Sequence, residues 1–158
     1  MKIIDIKMKD TIYKCMVDDE DYEWLSRFRW YARAYKSNSY AYRRVNINKK
    51  TCYISMHREI MKLTDRKLEV DHIDHDGLNN QKYNLRICTP QQNRFNSVAK
   101  SNSTSKFIGV CSNGVDGKWK ARIREIYIGV YKTEEEAAIA RDEKAKELFG
   151  EFANLNFK

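Results

Sequence analysis

Apolar and polar positions alternate with a period of two through much of residues 2–56, the pattern of half-buried strands. Segments 2–6 and 11–17 read as a hairpin turning at Lys9-Asp10. The acidic run Asp18, Asp19, Glu20 and Asp21 then precedes Trp24, Leu25 and Phe28, whose spacing predicts a short amphipathic helix over 21–28. Acidic residues suit that helix start, where orphan N–H groups carry partial positive charge. Alternation resumes over 30–34, 40–47 and 51–56, with turns at Ser37-Asn38-Ser39 and Asn48-Lys49-Lys50. Residues 61–66 finish a helix begun at His57.

From Leu68 the pattern changes. A short apolar run ends at Asp71-His72, and a polar, turn-rich segment with Asp74, Asp76, Gly77, Asn79 and Asn80 follows. A second strand-like run covers 85–88. Thr89-Pro90 then reads as a helix start, with Thr as N-cap and Pro at the first helical position, and that helix is expected to end near Lys100. The small-polar run 101–105 contains no apolar residue and is the best linker in the chain.

Beyond it, 107–110, 119–124 and 127–131 read as three strands, with a tight turn at Glu125-Ile126. Thr133 and Glu136 form a capping box opening a helix that Gly150 ends. Ala137, Ala138, Ala140, Arg141 and Ala145 suggest a helix packed close on the sheet. Alternation sets Lys118, Lys120, Arg122 and Arg124 opposite Trp119, Ala121 and Ile123, so a basic face points away from the helix. The fold class expected is α+β: a β-rich first part, then a three-stranded antiparallel sheet packed on one helix.

Charge sharpens the picture. The net charge is +8 at pH 7, which points to a polyanionic partner such as nucleic acid. In the first part Arg33, Arg43, Arg44, Lys49 and Lys50 interleave with Tyr31, Tyr35, Tyr40 and Tyr42, a mixture suited to lying along a phosphate backbone. The four cysteines lack any C-x-x-C pair, so no structural zinc and no disulfide is expected. There is neither a signal-peptide pattern nor a membrane-length apolar run, which implies a reducing, cytoplasmic setting and no membrane partner.

Strand, loop, strand and helix over 68–96 would gather Asp71 and His72 from one strand end and Asn93 from one helical turn. Those residue types suit metal-assisted phosphodiester cleavage. Mg²⁺ (or Mn²⁺) prefers oxygen ligands and keeps several waters, so one carboxylate and one amide oxygen, Asp71 and Asn93, suffice. His72 beside them can take a proton from the attacking water. His75 is the alternative base, and His57 reads as a structural residue or a phosphate contact. Asn84 would bond to loop backbone and fix the spacing of the two strands.

The run V-D-H-I-D-H-D-G-L-N-N-Q-K-Y-N-L-R-I-C-T-P-Q-Q-N-R-F-N resembles an HNH endonuclease motif, in the branch with asparagine as the final motif residue. The resemblance implies a ββα-metal fold over about 68–98, one divalent metal and DNA scission, with Asp71, His72, Asn84 and Asn93 at the motif positions. The preceding D-D-E-D-Y-E-W-L, W-Y-A, Y-A-Y-R and M-H-R pieces resemble the leader of phage and bacterial homing-type endonucleases. Likewise F-I-G-V, G-K-W-K-A-R-I, Y-I-G-V-Y-K-T-E-E-E-A-A and F-G-E-F-A-N-L-N-F resemble the Apetala-two (ethylene-response-factor type) DNA-binding domain. That family reads DNA with its sheet, which implies Trp119, Lys120, Arg122 and Arg124 as contacts; Lys118, Arg43, Arg44 and Arg94 are further basic candidates.

The expected organisation is a nuclease domain over 1–100, a linker over 101–105 and a DNA-docking domain over 106–158. The expected activity is metal-dependent hydrolysis of double-stranded DNA, nicking as a monomer or weak dimer in a bacterial or phage-infected cell. The rival is a non-catalytic, sequence-specific DNA-binding regulator.

Overall fold

The structure, a computed structural model, describes residues 1–35, 38–96, 103–114 and 116–157. It mixes several sheets with few helices and divides into two compact units, Met1–Pro90 and Gln91–Lys158.

The first unit is built on a five-stranded sheet in the order β2-β1-β3-β4-β5. Strands β1 (Lys2–Met8) and β2 (Thr11–Val17) pair in register from Lys2↔Val17 to Met8↔Thr11. Lys9, at φ 53°, makes the turn between them. Helix α1 (Asp19–Leu25) leads into β3 (Tyr31–Tyr35), β4 (Asn38–Ile47) and β5 (Lys50–Ser55). Asn48 (φ 50°) and Lys49 (φ 62°) join β4 to β5; two consecutive left-handed residues make the type I′ turn that matches strand twist. The expected turn at 37–39 falls partly outside the described residues, and Asn38 and Ser39 already belong to β4.

Alternation buries one face of this sheet. Ile4, Ile6, Cys15, Val17, Ala32 and Ala41 pack there with Leu25, Trp30, Met56 and Ile60 from the helices and their flanks. Each fully buried large aliphatic side chain contributes about 1.5–3 kcal/mol. The opposite face carries exposed Lys7, Lys14, Arg33, Arg44 and Tyr53.

Helices α1 and α2 differ from expectation. Helix α1 starts earlier and stops at Leu25, leaving Phe28 40% exposed, because Trp30 Nε1 donates to the Leu25 carbonyl at 2.9 Å and closes the helix there. Helix α2 (Met56–Ile60) does not run on to Arg66. Lys62 turns left-handed (φ 51°), and the Arg58 guanidinium gathers the carbonyls of Asp65 and Leu68, each at 2.7 Å.

A two-stranded sheet completes the unit: β6 (Glu69–His72) runs antiparallel to β7 (Leu85–Cys88), with Asp71↔Arg86 and His72↔Leu85 in register. Helix α3 (Pro90–Asn93) follows. It is far shorter than the helix expected to reach 100: Phe95 leaves it and stacks on Phe149 at 4.0 Å, inside the second unit. Residues 97–102 lie outside those described.

In the second unit β8 (Val110–Ser112), β9 (Trp119–Ile123) and β10 (Ile126–Tyr131) form an antiparallel sheet in the order β10-β9-β8. The first strand sits later than the expected 107–110, because Gly109 takes φ 74° and 107–109 form a turn. Helix α4 (Glu134–Phe149) begins at a complete Thr133–Glu136 capping box and ends at Gly150 (φ 54°). Its seat combines Ala137, Ala138 and Ala145 with a buried Arg141–Asp142 pair. Asp142 accepts from the Asn156 and Phe157 backbone amides, at 2.6 and 3.0 Å, which ties the C-terminal stretch to the helix. Within the expected linker, Ser101 and Asn102 are outside the described residues, whereas Ser105 is buried and donates to Glu134 at 2.6 Å.

Candidate functional site

Asp71 and His72 end strand β6, and both are almost fully buried (6% and 5% exposed). The antiparallel register sets Arg86 directly across from Asp71. Its Nε and Nη2 both donate to Asp71 Oδ2, at 2.9 and 2.7 Å. Sequence reading missed this partner; counting back along a hairpin-like pair from His72↔Leu85 would have located it.

The loop joining β6 to β7 is held by its own amides. Asn84, 1% exposed, donates to Asp74 Oδ1 at 2.9 Å and to the Asn79 carbonyl at 2.8 Å, while its Oδ1 accepts the Asp74 amide at 3.0 Å. Asn79 donates to Asp74 Oδ2 at 2.7 Å. Burial alone would raise the Asp74 carboxyl; the bonds from Asn79, the Asp76 amide and Asn84 outweigh it and hold the group below its ordinary value. The loop docks on β2 through Met16 N to Leu78 O and Asn80 N to Met16 O, both 2.8 Å. Asn38 of β4 donates to the His75 carbonyl at 2.6 Å and accepts the Gly77 amide at 3.2 Å.

Gly77 is where that docking is tightest, since a Cβ there would stand 2.6 Å from the Tyr40 ring and also strike the Ser39 carbonyl. Gly77→Ala is therefore expected to cost about 1–3 kcal/mol by overpacking, read as a lower urea midpoint. An unchanged midpoint would show that the loop gives way freely.

Three rings meet at the end of β6. His57 of α2 meets His72 edge-on with centroids 5.1 Å apart, and Tyr40 lies 5.7 Å from His72 and 6.1 Å from His57. Burial lowers the His72 pKa against the opposing effects of the Asn80 hydrogen bond and of Asp74, Asp71 and Asp76, so its imidazole is neutral near pH 7. For His57, burial first, then the His72 and Arg58 charges, pull the value from 6.5 to about 3. The unfolded chain thus binds the extra proton, and the stability present above pH 6.5 drains away as pH falls toward about 3. The expected slope inside that window is about 1.4 kcal/mol per pH unit. Urea melts at several pH values check it: His57→Gln flattens the slope, and an identical slope in the variant would assign the acid sensitivity elsewhere.

Asn93 closes α3 and belongs to the second unit, so its pairing with Asp71 stands as a proposal. His75, left-handed at φ 67°, sits in the loop. Among the described residues no group of three or more His, Cys, Asp or Glu side chains could hold a metal ion. A cation at Asp71 would therefore draw on one carboxylate, which it would share with Arg86; Mg²⁺, which keeps waters and takes substrate oxygens, tolerates so sparse a donor set. The donors fit that ion in kind.

The basic candidates separate by surroundings. Arg43 is engaged internally: its Nε donates to Glu59 Oε2 at 2.8 Å and its guanidinium lies 4.1 Å over the Phe28 ring. Arg44 is exposed on the opposite face, and Arg94 is exposed in the turn after α3. Lys120 and Arg122 alternate along β9 against buried Ala121 and Ile123, whereas Trp119 packs on the core of the second unit. Lys118 precedes the strand. Arg124 departs from the expected alternation: it forms the turn at φ 52°, with Glu125, and lies 5.0 Å over the Phe95 ring. Among the described residues no helix is long and apolar enough to cross a membrane.

No family model matches the chain, and no solved structure matches it. It is 43% identical over 95 residues to an uncharacterised HNH endonuclease of Acanthamoeba polyphaga mimivirus, covering 55% of this chain and 46% of that protein. It is 44% identical over 62 residues to the dehydration-responsive element-binding protein 2A of Arabidopsis thaliana, covering 35% of this chain and 18% of that protein. To an ethylene-responsive transcription factor of the same plant it is 32% identical over 101 residues, covering 58% of this chain and 61% of that protein. The chain spans less than two thirds of each of these relatives. It is homologous to an HNH endonuclease and to proteins of the AP2 and ethylene-responsive kind.

Proposed function

We propose that the chain is a metal-dependent DNA endonuclease whose chemistry resides at Asp71, His72 and Asn93, with the second unit docking on duplex DNA. The observation that carries this reading is the adjacent placing of a buried carboxylate and a buried imidazole at one strand end, in a chain homologous to an HNH endonuclease. A neutral His72 accepts a proton from water as the water oxygen bonds to phosphorus, and the bond to the 3′ oxygen breaks. Asp71 and Asn93 would hold one Mg²⁺ or Mn²⁺, which supplies charge neutralisation at the phosphate and the departing oxygen. Asn84 keeps the loop, and so the end of β6, in place.

Docking on DNA is proposed for the β9 face, with Lys120 and Arg122 at its centre and Lys118 and Arg124 at its ends; Trp119 supports it from the core side. A sheet of this kind can enter a major groove. Arg44 and Arg94 are proposed as backbone contacts. The protein is read as a monomer or weak dimer with one active site per chain, so it nicks one strand, in the cytoplasm of a bacterial or phage-infected cell. A specific observation favours the rival reading of a non-catalytic regulator: Arg86 already holds Asp71 with two hydrogen bonds.

Supercoiled plasmid with and without magnesium separates the two readings. Open-circle product that appears with magnesium and vanishes with chelator supports the nuclease. Tight duplex binding with no cleavage under either condition leaves only the regulator.

A further inference from the structure

On the sheet face opposite the core of the first unit, the β6–β7 loop and His72 pack at Tyr40, and the tyrosines and cations beyond it give a composition unlike a solvated surface. Registers Tyr31↔Tyr42 and Arg44↔Tyr53 place three tyrosines on neighbouring strands of that one face. Their rings adjoin, tilted by 34° with centroids 6.0 Å apart for Tyr31–Tyr42, and edge-on with centroids 5.5 Å apart for Tyr42–Tyr53. Tyr53 is 60% exposed. Arg33 and Arg44 stand exposed along the row, and the Arg29 guanidinium lies 5.4 Å over the Tyr31 ring. Lys7 and Lys14 extend the positive charge toward the far edge, against one carboxylate, Asp5.

We propose that this face binds single-stranded DNA, with Tyr31, Tyr42 and Tyr53 stacking on unpaired bases and Arg33 and Arg44 holding the phosphates between them. The chemistry selects the occupant. A duplex presents base edges and phosphates but hides base faces inside its own stack, so exposed aromatic rings gain little from it. An unpaired strand offers a face at every base and a charge at every step, the combination a basic, aromatic sheet takes up without regard to sequence. A second protein's apolar patch would leave Lys7, Lys14, Arg33 and Arg44 with Asp5 as the one carboxylate among them on this face. One flank of the row borders the candidate site: Tyr40, two residues before Tyr42 and on the same face of β4, lies 5.7 Å from His72. Such binding deepens the reading of Arg44 as a backbone contact, yet it needs neither metal nor cleavage.

Fluorescence anisotropy in chelator, with a labelled 15-mer of oligo(dT) and a duplex of equal length, tests the proposal independently of nuclease activity. Tyr53→Ala is expected to weaken oligo(dT) binding about tenfold, the scale of one lost base stack, while duplex affinity stays unchanged. Tyr53→Phe keeps the ring and is expected to keep the affinity within about threefold. Arg44→Gln is expected to weaken oligo(dT) binding and to lower the slope of log affinity against log salt by about 0.7. Thermal melts of the variants confirm that each is folded. Several outcomes would overturn the proposal: no oligo(dT) binding by the wild type, equal losses for Tyr53→Ala and Tyr53→Phe, an equal loss on duplex, or tighter binding of oligo(U) than of oligo(dT). If nicking fails while oligo(dT) binds as described, the nuclease reading falls and this one stands.

Discussion

His72→Ala is expected to slow single-turnover plasmid nicking by about 10²–10⁴-fold, the range that a positioned general base contributes. Duplex affinity is expected to stay within about twofold, because phosphate and base contacts rather than this buried imidazole carry binding. His72 is 5% exposed at the end of β6, and its surroundings keep the ring neutral, so it can receive a proton at the pH of the assay. His75 is the rival base, and His75→Ala provides the comparison. A rate for His72→Ala within about threefold of wild type, alongside a collapse in His75→Ala, would move the base into the loop.

Arg86→Met is expected to destabilise the first unit by about 3–5 kcal/mol, the cost of stripping the partner from a buried charge. Asp71 has 7% of its side chain exposed and Arg86 15%, so the carboxylate left behind finds little water. Because the two sit opposite each other in an antiparallel pair, the loss also removes a cross-strand tie between β6 and β7. Asp71→Leu together with Arg86→Met is expected to regain most of the stability, since an apolar pair of similar volume leaves no unpaired charge. Urea denaturation of the single and double variants reads this as a cycle. A double variant no more stable than Arg86→Met alone would show that the loss came from packing of the arginine stem. The pair also bears on function, because Arg86 and a cation would share one carboxylate.

Much of this fold was legible in the residues, and the misreadings share a physical origin. The β1–β2 hairpin, the turn at Asn48-Lys49 and the Thr133–Glu136 cap were readable because each depends on local chemistry that a few side chains declare. Asp71 and His72 were likewise placed correctly at a strand end. What failed depended on partners distant in sequence. Helix α3 stops after one turn because Phe95 finds Phe149, and α2 stops because Arg58 collects carbonyls from the chain beyond it. Period-two counting carried Arg124 onto a strand face, yet the backbone turns left-handed there. In the site itself the residue types were readable, whereas the Arg86 tie to Asp71 and the seat of His57 against His72 were not, since each requires the tertiary pairing of segments that sequence patterns treat separately.

The proposed cleavage requires a single divalent ion held jointly by Asp71 and Asn93. Titration of Mn²⁺ into the chain with a bound duplex, followed by electron paramagnetic resonance, counts that ion directly. One bound Mn²⁺ per chain is expected for the wild type, with affinity lost in both Asp71→Ala and Asn93→Ala and retained in Arg44→Gln. A wild type that binds no Mn²⁺, or a bound Mn²⁺ that survives both substitutions unchanged, would contradict it.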